Sequence, residues 1–471
     1  MKIIAALPFF LLVYSAPALA VNGDGLEARV ELCYATSVNM PETEFGPENV
    51  FDGDTATCWA TMPGAAPDEG LFFSFVEPKT ISTIMVDLVP AGDGYEGIET
   101  YQIYVNGLEG GTYSGSDAPV WISTRVKSLF IRINTTDSMQ LDVDGIRYTG
   151  DLPVGIREVT MTVEVSEAGD LAPLRIVPIG RAAGSVRASS SLEPEEAYSP
   201  DFLFDSRPAF GWADGNEEDT GEGENLVFTL DEPVRIEQLR IWNGYQRSET
   251  HFLHNERASR ISFGTCLENP GVYRLEDSME PQVVTLDHPL EGDCFELDFL
   301  DVYSGEVYRD LVISEFRFFD GENWFILDTG TSEERKFAIL EWAEGAEFGR
   351  ILDRQLYLGA MENGDSWEPH AQTLVLRSNG SFIVWMEDYW VDGEEHMYAD
   401  GNWQVIDGST VRIFGRLQRV SRTGMEPYDP YAGSWPDQGQ DTQRLTVFSD
   451  TLRMSGNTVS SDRGLFQDFS F

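Results

Sequence analysis

The chain has 471 residues, 42% of them hydrophobic and 12% aromatic, and sets 80 acidic residues against 32 basic ones for a formal charge of −48. That hydrophobic content is globular and argues against disorder, and the length suits about three domains rather than one core. With lysine only at 2, 79, 127 and 336, the surface repels nucleic acid and anionic lipid, whose capture needs clustered Lys and Arg.

The N-terminus opens with Met1-Lys2, an apolar run from Ile3 to Tyr14, and Ala18-Leu19-Ala20, the pattern of an export signal cleaved after residue 20. The run is shorter than the ~20 residues a membrane helix needs, and no later segment is long enough, so no membrane span is expected. The expected location is periplasmic or secreted. An oxidising compartment makes Cys33, Cys58, Cys266 and Cys294 candidates for disulfides. Four cysteines allow three pairings, and locality favours Cys33 with Cys58 and Cys266 with Cys294.

Short segments rich in branched and aromatic residues then follow one another, bounded by Gly, Pro, Asn or Asp: "LFFSFVEP", "ISTIMVDLV", "YQIYVNG", "VKSLFIRIN", "EVTMTVEV", "NLVFTLDEP", "IEQLRIWNG" and "ISEFRFF". These are strand signals, and the class expected is all-β. One helix is expected over 332–343, "SEERKFAILEWA", with Ser332 as its cap. Beyond it, "QTLVLRSNGSFIVWMEDYW" and "YADGNWQVIDGSTVRIFGRLQRV" place Asn-Gly and Asp-Gly turns between alternating strands, as in a small antiparallel meander or barrel. Trp385, Tyr389, Trp390 and Trp403 there are expected to be core or to line a pocket.

The chain also repeats itself. "FDGDTATCWAT" around Asp52 and Trp59 returns as "FDSRPAFGWAD" around Asp205 and Trp212. Each is followed by a strand, Glu-Pro, two residues, isoleucine and a second strand, and "LDVDGIRYTG" (141–150) matches "LVISEFRFFDG" (311–321). Blocks recurring in one order predict two domains of like fold, and strands of this kind bury their apolar faces by pairing into sandwiches. The expected division is 21–150, a β-rich connector 151–185, 186–330, a linker 331–344 and a C-terminal β domain 345–471. In each copy the tryptophan after a tight acidic turn is expected to plug one end of the core.

"FDGDTATCW" resembles the Asp-Gly turn and Thr-x-Trp of discoidin-like (factor 5/8 C-type, galactose-binding jelly-roll) domains. The second copy resembles the NADase-type glycan-binding variant, also found as the translocation domain of NAD glycohydrolase, through "ASSSL" (188–192), "WADG" (212–215), "GEGENLVF" (221–228), "IWNGYQ" (241–246), "HNERASRISF" (254–263) and "ISEFRFF" (313–319). The resemblance implies two tandem jelly rolls and, in many members, a structural calcium ion held by the acidic loop and a glutamate near the last strand. Carried over, the first copy keeps Asp52, Asp54 and Thr57 but has Gly145 where that glutamate is expected. The second keeps Glu315 but has Ser206, Arg207 and Phe210 in its loop. Calcium is therefore expected in the first copy alone, if anywhere.

A sugar site on such a fold would lie in the loops at one end, and Trp242, Asn243, Tyr245, Asn255 and Arg257 are the residues expected to bind the ligand, Tyr245 by stacking. There is no G-x-S-x-G, H-E-x-x-H or P-loop, and with 80 carboxylates a pair of acids means nothing by proximity in sequence. The function expected is an exported, non-catalytic protein binding a glycan or envelope surface. The alternatives are a hydrolase with its site in 345–471, or an envelope scaffold that binds other proteins.

Overall fold

The computed structural model describes residues 26–470 except 65–68, 116–117, 138–139, 142–145, 149–151, 167–168, 194, 217–219, 268–269, 360–369, 391–392, 424–439 and 467. The expected export signal thus lies outside the described residues. The chain divides into two compact units, 1–63 with 67–138 and 150–330, and 64–66 with 139–149 and 331–471. Both are built of strands, as the alternating pattern predicts.

The first unit holds the two expected sandwiches. In the first, strands run in the order Leu171–Pro173, Gly155–Glu164, Gly70–Leu88, Val120–Thr136, Ile98–Val105 and Leu108–Tyr113, with Glu27–Ala35 also paired to Gly70–Leu88. Gly155–Glu164, Leu171–Pro173 and Arg175–Val177 are therefore strands of this sandwich, not a connector. In the second, Asn225–Asn243 is flanked by Gly180–Ala188 and Gln282–Tyr303, and it also pairs with Val312–Phe319. Each sandwich has its own core, with Phe73, Phe75 and Ile131 in one and Phe228, Phe316 and Phe318 in the other.

The Glu-Pro repeats explain a difference from the sequence reading, which divides "LFFSFVEP" from "ISTIMVDLV". The two are one bent strand, Gly70–Leu88, whose register against its neighbour breaks between Ser74 and Lys79, across Pro78. Asn225–Asn243 breaks likewise between Thr229 and Val234, across Pro233. Proline cannot donate to a ladder, so it sits where pairing lapses and the strand bends.

The cysteine pairing is half right. Cys266 and Cys294 form a disulfide between adjacent strands, with the Cys266 amide donating to the Cys294 carbonyl at 3.0 Å. Cys33 and Cys58 are free and buried. Cys33 points from its strand into the main core, whereas Cys58 packs with Ala60 and Val89 in a separate small cluster. Closeness in sequence does not bring two cysteines together when strand register turns them toward different clusters.

The second unit is an antiparallel meander from Gln355–Gly359 to Phe469–Ser470, preceded by the helix Thr331–Gly345. The helix starts one residue before the expected Ser332. Trp403 is core, its Nε1 donating to the Arg377 carbonyl at 2.9 Å. Trp385 is half-buried, and the side chains of Tyr389 and Trp390 lie outside the described residues. The hairpin Gln140–Leu141 with Ile146–Tyr148 joins this sheet by pairing with Gln355–Gly359. The described residues of the block 141–150, Leu141 and Ile146–Tyr148, are therefore not the counterpart of Val312–Phe319.

Candidate functional site

Hydrogen bonds align the two sandwiches residue by residue. Trp59 Nε1 donates to the Ser37 carbonyl and Trp212 Nε1 to the Ser190 carbonyl, both at 2.9 Å. Ser37 Oγ accepts from the Met62 amide, and Ser190 Oγ from the Gly215 amide. Thr36 donates to Glu69, and Ser189 to Glu224. Both tryptophans are fully buried, so the repeated motif is the expected plug.

The same alignment relocates the late glutamate. Trp59 pairs with Ile156 as Trp212 pairs with Ile313, so Glu158, two residues on, is the counterpart of Glu315. Gly145 lies outside the described residues. Glu158 faces the loop: it accepts a hydrogen bond from the Gly53 amide, and burial, then the nearby charge of Asp52, raises its pKa. Its Oε1 has no hydrogen-bond partner. Asp52 accepts from the Asp54 amide at 2.7 Å and from Thr57 Oγ1 at 2.7 Å, and Asp54 accepts from the Ala56 amide at 2.9 Å. Asp52, Asp54, Thr57 and Glu158 are hard oxygen donors of the kind calcium takes. As placed, they serve the turn, and among the described residues no group of three or more His, Cys, Asp or Glu is gathered closely enough to hold a metal ion.

The five expected ligand residues do come together, but the fold uses them. Asn243 bridges two strands through its amide, Nδ2 to the Ala258 carbonyl at 2.7 Å and Oδ1 from the Ala258 amide at 2.9 Å. Arg257 grips Asp277 through two nitrogens and donates to the carbonyls of Asn255 and Ser304. Asn255 Nδ2 donates to the His251 carbonyl. Trp242 is buried with the Arg317 guanidinium over its ring at 5.4 Å. Tyr245 is 6% exposed, packed against His251 edge-on and under the Arg247 guanidinium, so its ring is closed off from solvent.

An exposed aromatic does stand nearby. Tyr308 is 43% exposed, flanked by exposed Val307 and Leu253. Its loop is pinned, since the amides of Val307 and Tyr308 both donate to the His254 carbonyl, at 3.2 and 2.8 Å. His254 contacts the Tyr308 ring edge-on. Gly305 makes the close approach possible, because a Cβ there would lie 2.3 Å from the Tyr308 carbonyl oxygen and 2.5 Å from that of His254. Half-buried Tyr198 feels the charges of Arg247, Asp310 and Tyr308, which places these groups at the same loop end. The signal in the sequence was the apolar pair Val307-Tyr308 set between Gly305 and Arg309-Asp310, in a stretch with no strand pattern.

The same end contains Asp214. Its Oδ1 accepts from the Leu311 amide at 2.6 Å, as Thr61 Oγ1 accepts from the Val154 amide at 3.2 Å in the first sandwich. The spare Oδ2 is buried without a partner. Burial, with Asp310 and Glu224 nearby, pushes the Asp214 pKa up to about 7.

This sandwich has a recognisable relative. Residues 180–319 match the NAD glycohydrolase translocation F5/8 type C domain. The F5/8 type C-like region thus runs from the first strand of the second sandwich to the end of Val312–Phe319. No curated protein matches the sequence. Among solved structures, the arabinofuranosyltransferase AftD from Mycobacteria is 12% identical with a TM-score of 0.24, over 89% of this chain and 41% of its own. This chain therefore spans well under half of that enzyme's length. The family 32 carbohydrate-binding module of NanJ from C. perfringens, solved with galactose, is 14% identical with a TM-score of 0.23, over 29% of this chain and 92% of its own. The CBM32-1 and CBM32-2 domains of Clostridium perfringens ZmpB are 10% identical with a TM-score of 0.22, over 61% of this chain and 92% of their own.

Proposed function

We propose that the chain is an exported, non-catalytic binding protein that recognises carbohydrate on a glycan or envelope surface, with the F5/8 type C-like sandwich making the main contact. The observation that carries this reading is Tyr308, an exposed ring on a loop held by backbone hydrogen bonds at the end of a rigid sandwich. A ring fixed in advance can stack on the apolar face of a sugar at little entropic cost. The strongly negative chain, and Glu306 and Asp310 beside Tyr308, favour neutral or amine-bearing sugars over sialylated or uronic ones. On a glycan array, full-length protein should select neutral or amino sugars, and Tyr308→Ala should weaken that binding at least tenfold without changing the melting temperature. Tyr245→Phe keeps the buried ring and should bind as wild type does. A Tyr308→Ala variant that binds like wild type removes this site.

We also propose that the first sandwich takes one calcium ion on Asp52, Asp54, Thr57 and Glu158, with backbone carbonyls completing the shell as the loop tightens. Glu158 supports this reading, since the late glutamate is present and its Oε1 lacks a partner. A ligand of the native state stabilises by RT ln(1 + [L]/Kd), about 2.7 kcal/mol at a hundredfold excess over Kd. Millimolar calcium should raise the melting temperature of the full chain more than magnesium does, and Asp54→Ala or Glu158→Gln should abolish the preference. Equal responses to the two ions would reduce the loop to a turn beneath a tryptophan plug, with salt acting only by screening.

A further inference from the structure

The loop of the second sandwich is arranged around a cation already present in the chain. Arg317, 1% exposed, donates from Nη1 to the Leu203 carbonyl at 3.1 Å, the Phe316 carbonyl at 2.8 Å and Glu315 Oε2 at 2.6 Å, and from Nη2 to Ser206 Oγ at 2.9 Å. Two carbonyls, a carboxylate and a hydroxyl are the oxygen types that would surround a bound divalent ion. In the first sandwich the counterpart of Arg317, two residues past the late glutamate, is Thr160, which is exposed, and that of Ser206 is Gly53.

Ser206 supplies a second, independent sign. Its φ is +60°, in the left-handed region where Gly53 sits at +75°. A serine bears a steric cost there that glycine escapes. The Cβ that makes the substitution costly also carries the hydroxyl that accepts from Arg317.

Acids stand beside the guanidinium. Burial raises the carboxyls of Asp205, to about 6, and of Glu315, well above its ordinary range, and the charge of Arg317 opposes both rises. Arg207 stands by with its guanidinium 4.4 Å from the Phe210 ring.

We propose that the Arg317 guanidinium serves as a built-in cation in the place of a divalent ion, so that the second sandwich folds and works without calcium. This does not depend on the glycan reading. The guanidinium is tethered, always charged and cannot be removed by a chelator.

The test uses the full chain with Asp54→Ala and Glu158→Gln to silence the first loop. This background should bind no calcium in equilibrium dialysis, and its melting temperature should be the same in chelator and in millimolar calcium. Calcium binding there would overturn the proposal whatever the other variants do. Adding Arg317→Thr with Ser206→Gly, the residues of the first copy, should lower the melting temperature, create binding of one calcium per chain and let calcium restore much of the loss. Adding Glu315→Gln should remove the gained binding. Arg317→Lys, which keeps the charge, should remain calcium-silent. A Thr-Gly variant that fails to fold in calcium, or folds and ignores it, also overturns the proposal.

Discussion

Trp212→Ala should cost the second sandwich about 3–5 kcal/mol, the range for deleting a large buried ring. Trp59→Ala should cost the first sandwich a similar amount. Each ring is fully buried and closes one end of its core, Trp212 stacking on Phe299 at 5.5 Å. Each indole also satisfies a serine carbonyl that alanine would leave unpaired in the interior, an added penalty of about 1–3 kcal/mol if water cannot reach it. Against a domain stability of about 5–15 kcal/mol, either change brings its sandwich near unfolding. Trp121, 66% exposed on a strand of the first sandwich, is the control, and its alanine variant should stay within about 0.5 kcal/mol of wild type. Urea unfolding of the full chain measures all three. Losses of about 1 kcal/mol or less at Trp59 and Trp212 would refute the plug.

Asp214→Thr should stabilise the second sandwich at pH 8 and leave it unchanged at pH 4. The threonine hydroxyl can cap the Leu311 amide as Thr61 caps Val154, so the fold loses no essential acceptor. What disappears is a buried carboxyl whose pKa rises from 3.8 to about 7. Between those values the folded state keeps a proton that the unfolded chain has released, so stability falls as pH rises through that window. Below about 4 both states are protonated and the term vanishes; above 7 the cost is complete. A rise of that size corresponds to at most about 4 kcal/mol, less whatever water penetration and local relaxation return. Leu311 and Asn216 amides oppose the rise, while Asp310 and Glu224 add to it. These neighbours are common to both proteins, so the difference between variant and wild type isolates Asp214. An equal gain in melting temperature at pH 4 and pH 8 would show that the effect is packing rather than ionisation.

Much of the architecture was legible in the residues. Alternating strands, the helix near 332–343 and the two plugs follow from local periodicity, turn residues and the internal repeat, while the second copy's likeness to the F5/8 type C domain is carried by its own motifs. Cys266 and Cys294 could be paired from the sequence because a short hairpin-like excursion brings their strands side by side. What local pattern could not supply is register between distant strands. Register turns Cys33 and Cys58 toward different clusters, joins Gln140–Leu141 and Ile146–Tyr148 to the meander, and makes Glu158 the partner of the Asp52 loop. Burial is likewise a collective outcome: Tyr245 and Tyr308 are the same side chain outside the strands, yet one is closed in by His251 and Arg247 and the other reaches solvent. The sequence by itself determined strands, turns and the repeat, because these depend on neighbours in the chain; only the tertiary structure decided which acids meet, which ring reaches solvent and which arginine is buried among the loop carbonyls.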